Sequence, residues 1–392
     1  ALAQMHQARA SQGDERVALY LKAARTRLDH LQDRHGAAEI FAKVLEQRTG
    51  PLGLLTVVGN KVVPLRHAPG LSLYAPVGPP PQLGLYIDAG AVSPITAWDT
   101  TSGPGHFGQL TSALPYYLAH PGRVLVLGAG GGSSVLQALA LGADQVDAVE
   151  LNPQVTALVR DRFGAFAGDL FRNSRVRLHT GDARGFVTTG RGAYDLIQLD
   201  LIEALGASAA GLNALGENYL FTVEAMADYL RRLSPDGFLA ITRWVRVPPR
   251  DALKLLATAA EALRTTGSSD PGQRIILIRG WATSTLLVKK TAVTPNEIRS
   301  LRRFCAGRGF DLVYYPSIRA EEANRYNVLR QPWFFEGAAA LLGSDRDDFL
   351  DRYKFDLTPA TDDRPYFAHF LKWKTIPEVL SLRGQGGAAL LE

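Results

Sequence analysis

The run Arg123–Leu127, RVLVL, leads straight into Gly128-Ala129-Gly130-Gly131-Gly132 and then Ser133-Ser134. A short continuous apolar run suits a strand buried on both faces. The glycine cluster permits a tight turn and lets backbone approach a ligand where a Cβ would obstruct it. A helix over 133–141 would then start with unpaired backbone N–H groups. This strand, turn and helix restrict the chain to folds in which a parallel strand feeds a helix across a glycine-rich turn.

The residues that follow repeat the alternation. Strands are expected over 146–150, 176–179, 194–199 and 238–242, and helices over 153–163, 222–233 and 251–264. The runs at 275–278 and 285–288, split by Gly280, suit an antiparallel pair at the sheet edge. The expected fold is therefore α/β, a doubly wound, Rossmann-like sheet in which ligands bind at the C-terminal ends of the strands. Upstream, Pro and Gly punctuate short apolar runs at 54–58, 62–65, 71–74 and 84–87, and Pro79-Pro80-Pro81 makes a stiff connector. These residues read as a small β-rich unit. Before them, Leu19, Leu21, Ala24, Leu28 and Leu31, then Ile40, Phe41, Val44 and Leu45, recur near helical spacing. The domain reading is a helical arm over 1–48, a β-rich domain over 49–120, an α/β nucleoside-binding domain over 121–290 and a C-terminal completion over 291–392. That last part holds a helix over 295–308, a strand over 312–315 and the polar loop Thr361-Asp362-Asp363-Arg364-Pro365.

Composition removes several function classes. With 392 residues and a single cysteine, Cys305, the chain can bury a core but cannot form an internal disulfide or a Cys-rich zinc module. Its 43 Lys+Arg against 38 Asp+Glu give +5, spread along the chain rather than blocked, so no nucleic-acid partner is expected. There is no uninterrupted apolar run of ~18 residues to span a membrane and no signal peptide. The chain begins at Ala1 rather than Met, which suggests processing or a cut from something longer. A cytoplasmic location is expected, with a membrane involved only through a missing segment. His106 near the expected site does not make a metal centre, and no metal is expected.

Three polar positions sharpen the ligand class. Glu150 ends the second strand about 20 residues after the glycine turn, where a carboxylate can accept from both hydroxyls of a ribose. A dinucleotide site wants G-x-G-x-x-G, but the last position here is Ser133. A nucleoside such as S-adenosylmethionine has no pyrophosphate and needs no third glycine. Asp182 and Ala183 follow the third strand, where an acid can accept from an adenine amino group and the next N–H can meet a ring nitrogen. Asp182 is equally suited to capping the following helix. Asp200 ends the fourth strand, placed to take a proton from an attacking amine or to hold an ammonium group. The small-residue loop over 206–211 suits either a mobile cover or close backbone packing. Trp98, Tyr116, Tyr219, Trp244 and Trp281 offer stacking surfaces or core packing. Arg243 and Trp244 end the fifth strand and are expected to border the crevice.

VLVLGAGGGSSVLQALALGADQVDAVELNPQV, RVRLHTGDARGF and YDLIQLD, in that order, resemble the spermidine synthase (polyamine aminopropyltransferase) family. The later segment GASAAGLNALGENYLFTVEAMADYLRRLSPDGFLAITRW and the late TDDRP resemble a bacterial branch of spermidine synthase-like proteins, some fused to membrane-spanning segments. The resemblance implies an S-adenosylmethionine-methyltransferase-like fold and a homodimer. It also implies alkyl transfer from S-adenosylmethionine or its decarboxylated form, a co-substrate, to a small-molecule amine. By position, Gly128, Gly130 and Gly131 would line the donor, Glu150 would hold the ribose, and Asp182 with Ala183 the adenine. Asp200 would be the catalytic base. Gln109, Glu203 and Tyr219 are the candidates for acceptor binding. Three departures stand out. Gly131 replaces the family aspartate that grips the donor's amino end, Glu203 replaces a second aspartate, and Gln109 falls where an acceptor-binding acid is expected. Polyamine synthases need several carboxylates to hold a diamine, and few stand at the family positions; Glu217, Asp362 and Asp363 are possible substitutes. S-adenosylmethionine-dependent methyl transfer and a non-catalytic nucleoside-binding domain are the alternatives.

Overall fold

The computed structural model describes residues 43–60, 64–88, 90, 92–99, 103, 105–202 and 216–375. The expected helical arm over 1–42, Glu203, the loop over 206–211 and the glycine-rich end lie outside the described residues.

Four antiparallel strands form the first sheet: β1 (Lys43–Gly50), β2 (Gly53–Gly59), β3 (Gln82–Ile87) and β4 (Ser93–Thr96), in that order. Residues 43–48 are therefore strand and not the end of a helix. The reason is local: Pro51 and Leu52 turn the chain so that Gly50 pairs with Gly53, which adopts a φ of 109°. That hairpin sets a period of two in β2, where Leu55 and Val57 are fully buried. The expected strand at 71–74 is a turn instead. The Ser72 hydroxyl accepts from Tyr74 N and donates to Arg308 O, and only Leu71 makes a bridge, to Leu110. The chain reaches β4 through a positive φ at Asp88, whose Oδ1 accepts from Leu54 N at 2.8 Å.

The second sheet has eight strands, β5 (Arg123–Leu127), β6 (Gln145–Glu150), β7 (Val176–Thr180), β8 (Tyr194–Asp200), β9 (Leu233–Trp244), β10 (Ile275–Arg279), β11 (Thr283–Lys289) and β12 (Asp311–Tyr314). Their spatial order is β12-β10-β11-β9-β8-β5-β6-β7. The five strands from β7 to β9 are mutually parallel, and β11 enters antiparallel beside β9. The β10–β11 hairpin pairs antiparallel, but the outer edge belongs to β12, which covers β10.

Alternation within the apolar runs builds two layers. Val124 and Val126 of β5, Leu196 of β8 and Phe238 of β9 belong to one core, together with Leu55, Val57, Leu85 and Ile95 of the first sheet. Leu125, Leu127, Ile197, Leu199 and Leu239 face the other core. The first core also takes helices α1 (Leu114–Ala119) and α2 (Ser133–Ala140). The helical run from α3 (Pro153–Ala157) continues this layer through Leu158 and Val159. The second core takes α4 (Ala183–Thr189), α5 (Val223–Arg232) and α6 (Asp251–Thr265). The small sheet is thus packed on one face of the large one, directly beside the β5–α2 turn. Strand order reverses between β5 and β8, which opens a crevice at the C-terminal ends of these strands. Among the described residues, no helix is long and apolar enough to cross a membrane.

Candidate active site

A cleft of about 630 Å³ occupies that crevice. Its floor comes from the ends of β5, β6 and β8, and its roof from β3, β4 and the segment around His67.

The glycine turn has the geometry its composition demands. Gly128, Gly130 and Gly132 have φ values of 79°, 50° and 95°, in the region that favours glycine. Gly130 N donates to Glu150 Oε2 at 2.8 Å, and Asn152 N donates to Oε1 at 2.9 Å. The buried Glu150 carboxylate therefore ties the turn after β5 to the start of α3. Burial pushes this carboxyl above its ordinary value, while the N–H groups of Asn152, Gly130 and Leu151 oppose the rise.

Gly131 plays a different part. It does not line the cleft, whereas Gly128, Ala129, Gly130, Ser133 and Ser134 do. Its N–H donates to Ser93 Oγ at 2.8 Å, and a Cβ there would sit 2.4 Å from the Pro94 carbonyl oxygen. Strand β4 fills the space in which a side chain at 131 would lie.

Asp182 caps α4, its Oδ2 accepting from Gly185 N at 2.5 Å, and both Asp182 and Ala183 line the cleft. The cap and the cleft wall are the same residue, as the two readings of the sequence allow. Beside it, Arg184 donates to Asp228 Oδ2 at 2.7 Å and Asp362 Oδ2 at 3.2 Å. Thr222 Oγ1 also donates to Asp362, at 2.6 Å. Asp362 thereby fastens the Thr361–Arg364 turn to α4 and α5, and is not part of the cleft wall.

Asp200 lies at the cleft floor. Its Oδ2 accepts from Ser134 Oγ at 2.8 Å and from Gln198 Nε2, while Oδ1 is buried without a hydrogen-bond partner. Burial raises its carboxyl above the ordinary value, and contributions from Thr242, Ser134 and Gln198 favour the charged form without cancelling the rise. His106 is nearly fully buried in the wall, and that burial lowers its imidazole to about 4.

The acceptor candidates separate. Tyr219 lines the cleft, its hydroxyl donating to Glu217 Oε2 at 3.1 Å, and Glu217 lines it too. Gln109 does not. The short helical turn Gly105–Gln109 directs His106 and Phe107 inward, while Gln109 contributes its carbonyl to Ser72 N. Trp244 borders the cleft, but Arg243 turns away to Ile202 O and Asp251. Two features escaped the sequence reading. Asp88 lines the roof, and a buried polar chain of Tyr116, Gln198 and Gln137 runs beneath Asp200. The single Gln in the otherwise apolar core of YDLIQLD was the available signal for the second. Asp88, Glu150, Asp182, Asp200 and Glu217 line a cleft whose only Lys or Arg, among the described residues, is the engaged Arg184. Among the described residues, no cluster of His, Cys, Asp and Glu is placed to hold a metal ion.

The family model for the spermine/spermidine synthase domain matches residues 105–243. Over 125 residues the chain is 30% identical to a polyamine aminopropyltransferase from Korarchaeum cryptofilum, covering 32% of this chain and 36% of that one. Over 119 residues it is 33% identical to one from Clostridium acetobutylicum, covering 30% of this chain and 38% of that one. The chain thus spans little more than a third of the length of these relatives. A solved structure of a probable spermidine synthase from Corynebacterium glutamicum matches at 16% identity and a TM-score of 0.46, over 68% of this chain and 87% of that one. Residues 105–243, the stretch that the spermine/spermidine synthase domain model matches, carry the glycine turn, Glu150, Asp182 and Asp200.

Proposed function

We propose that the cleft binds a sulfonium nucleoside of the decarboxylated S-adenosylmethionine type and transfers its aminopropyl group to an amine. The observation that carries this reading is the convergence of Glu150, Asp182 and Asp200, from the ends of three parallel strands, on one cleft. Each carboxylate oxygen of Glu150 takes one backbone N–H and keeps a lone pair for a ribose hydroxyl. Asp182 uses one oxygen as a helix cap, which leaves the other for an adenine amino group. The cleft's excess of carboxylates suits a cationic donor and a cationic acceptor. Asp88 and Glu217, which line the same cleft, would hold a second ammonium of a diamine.

The chemistry is a displacement. The amine lone pair attacks the carbon beside the sulfonium, a C–N bond forms, and the C–S bond breaks with its electrons going to sulfur. The nucleoside leaves as a neutral thioether, methylthioadenosine. The amine must be unprotonated to attack, and the new bond leaves a proton to remove. Asp200 takes it. A carboxylate raised by burial is a better base than an exposed one, and burial also excludes water from the reacting atoms.

One observation favours methyl transfer from S-adenosylmethionine as a second reading. The Pro94 backbone leaves no space at Gly131 for the aspartate that grips the donor's amino end in the family pattern. Incubation with each donor and a panel of mono- and diamines distinguishes them by the mass of the nucleoside product. Methylthioadenosine supports aminopropyl transfer and S-adenosylhomocysteine supports methyl transfer. Absence of both, with no nucleoside binding, returns the site to a non-catalytic role.

A further inference from the structure

Beneath Asp200 the buried side chains form a directed hydrogen-bond chain. Gln137 Nε2 donates to the Phe107 carbonyl at 3.0 Å. A carbonyl only accepts, so this bond fixes which end of the Gln137 amide is nitrogen. Gln137 Oε1 then faces Ser112 Oγ at 3.1 Å and Gln198 Nε2 at 2.8 Å. That fixes the Gln198 amide in turn. Its oxygen accepts from Tyr116 OH at 2.7 Å, and its nitrogen is left facing Gln137 and Asp200 Oδ2. Gln198, Gln137 and Tyr116 are each at most 2% exposed, so water does not compete for these bonds. Gln198 stands two places before Asp200 on β8, on the same face of the strand.

We infer that Gln198 is a positioning residue for the reaction, presenting a fixed donor to Asp200 Oδ2 and so setting the orientation and charge of the carboxyl that takes the substrate proton. The inference rests on the aminopropyl-transfer reading for its catalytic consequence, but the holding of Asp200 stands apart from it. Oδ2 accepts from both Ser134 and Gln198, while Oδ1 has no partner. A carboxyl held at Oδ2 by two donors keeps one orientation at the cleft floor. An apolar side chain at 198 would hold Asp200 less firmly and would remove a donor that favours its charged form. The other titratable groups around the site are Tyr116, His67, His106, Asp88, Glu150, Asp182, Arg184, Glu217 and Tyr219.

The test combines kinetics with a titration that does not depend on turnover. Gln198→Met keeps the volume and removes the amide. Its expected effect is a fall in kcat of about tenfold to a hundredfold, the scale of a hydrogen bond to a charged group, with KM for donor and amine changed little. The acid limb of the pH profile should move to higher pH. Carboxyl carbon NMR of aspartate-labelled protein, with the Asp200 signal assigned by its loss in Asp200→Asn, should show the same upward movement without substrate. Tyr116→Phe, which releases only the Gln198 oxygen, should give a smaller shift in the same direction, and it carries the test if Gln198→Met does not fold. An unchanged Asp200 midpoint overturns the inference, as does an unchanged kcat in an active protein. A shifted midpoint in a protein that releases no methylthioadenosine leaves Gln198 holding Asp200 and overturns the aminopropyl-transfer reading instead.

Discussion

The N–H of Gly131 donates to the hydroxyl of Ser93 at 2.8 Å, joining the glycine turn of the large sheet to the last strand of the small one. The same close approach explains why residue 131 is glycine although its φ is not in the left-handed region: a Cβ there would sit 2.4 Å from the Pro94 carbonyl oxygen. Ser133 Oγ adds a second tie, to the Pro94 carbonyl at 3.3 Å. The first sheet is therefore part of the site's wall, and its position relative to the glycine turn is set by these contacts.

Gly131→Asp should not restore a grip on the donor. Its Cβ would meet Pro94 backbone at 2.4 Å, and backbone cannot yield as a side-chain tip can. A loss of roughly 1–3 kcal/mol is expected from such overpacking. Thermal unfolding should show a lower Tm, and titration calorimetry should show nucleoside affinity no better than wild type. A variant with wild-type Tm and tighter donor binding would contradict this placement of β4.

Asp200→Asn should separate stability from activity. Burial raises the folded-state value of Asp200, and of Glu150, above that of an unfolded carboxyl. The favourable contribution of such a group is complete below its unfolded value and is lost as pH rises through the folded one. The unliganded protein should therefore lose this part of its stability on going from acid toward neutral pH. Asn cannot ionise, so Asp200→Asn should unfold at a higher temperature than wild type near neutral pH, with the difference shrinking toward pH 4. Equal or opposite behaviour in paired melting curves would show that the carboxylate is not penalised by its surroundings.

His106 should not set the pH profile of the reaction. With its imidazole lowered to about 4 by burial, it is neutral throughout the range in which an amine enzyme would be assayed. His106→Gln is expected to leave the limbs of the profile above pH 5 in place, whatever it does to the rate. Loss of a limb near neutrality would mean that the ring is more accessible to protons than its burial implies.

Arg184→Ala should loosen the Thr361–Arg364 turn. Arg184 joins Asp228 and Asp362, and without it the nearly buried Asp228 keeps, among the described residues, only the exposed Arg231 as an ion-pair partner. Removing one member of such a partly buried set should cost about 1–3 kcal/mol. Limited proteolysis should cut the chain near this turn faster than in wild type, and unchanged cleavage would argue against the tether.

Much of the large sheet is legible in the sequence because its strands are buried on both faces. RVLVL and the core of YDLIQLD read as continuous apolar runs, and their ends carry the polar residues of the site. What was not legible depends on distant partners. Ser93–Thr96 holds a proline and only four residues, and it becomes a strand through pairing with β3. Lys43–Gly50 shows a local helical spacing that the Gly50–Gly53 pairing overrides. Gln109 follows the family position but lies on the far side of a short helical turn. Gln198 and Tyr116 are 82 residues apart, so nothing local announces their bond.

The most direct measurement is the yield of methylthioadenosine from decarboxylated S-adenosylmethionine and an amine, compared between wild type and Asp200→Asn with nucleoside affinity measured in parallel. The account predicts product from the wild type. For the variant it predicts a fall of about a hundredfold or more, the scale expected for loss of a general base, with affinity largely kept. No methylthioadenosine from the wild type with any amine, or turnover in the variant close to that of the wild type, would contradict it.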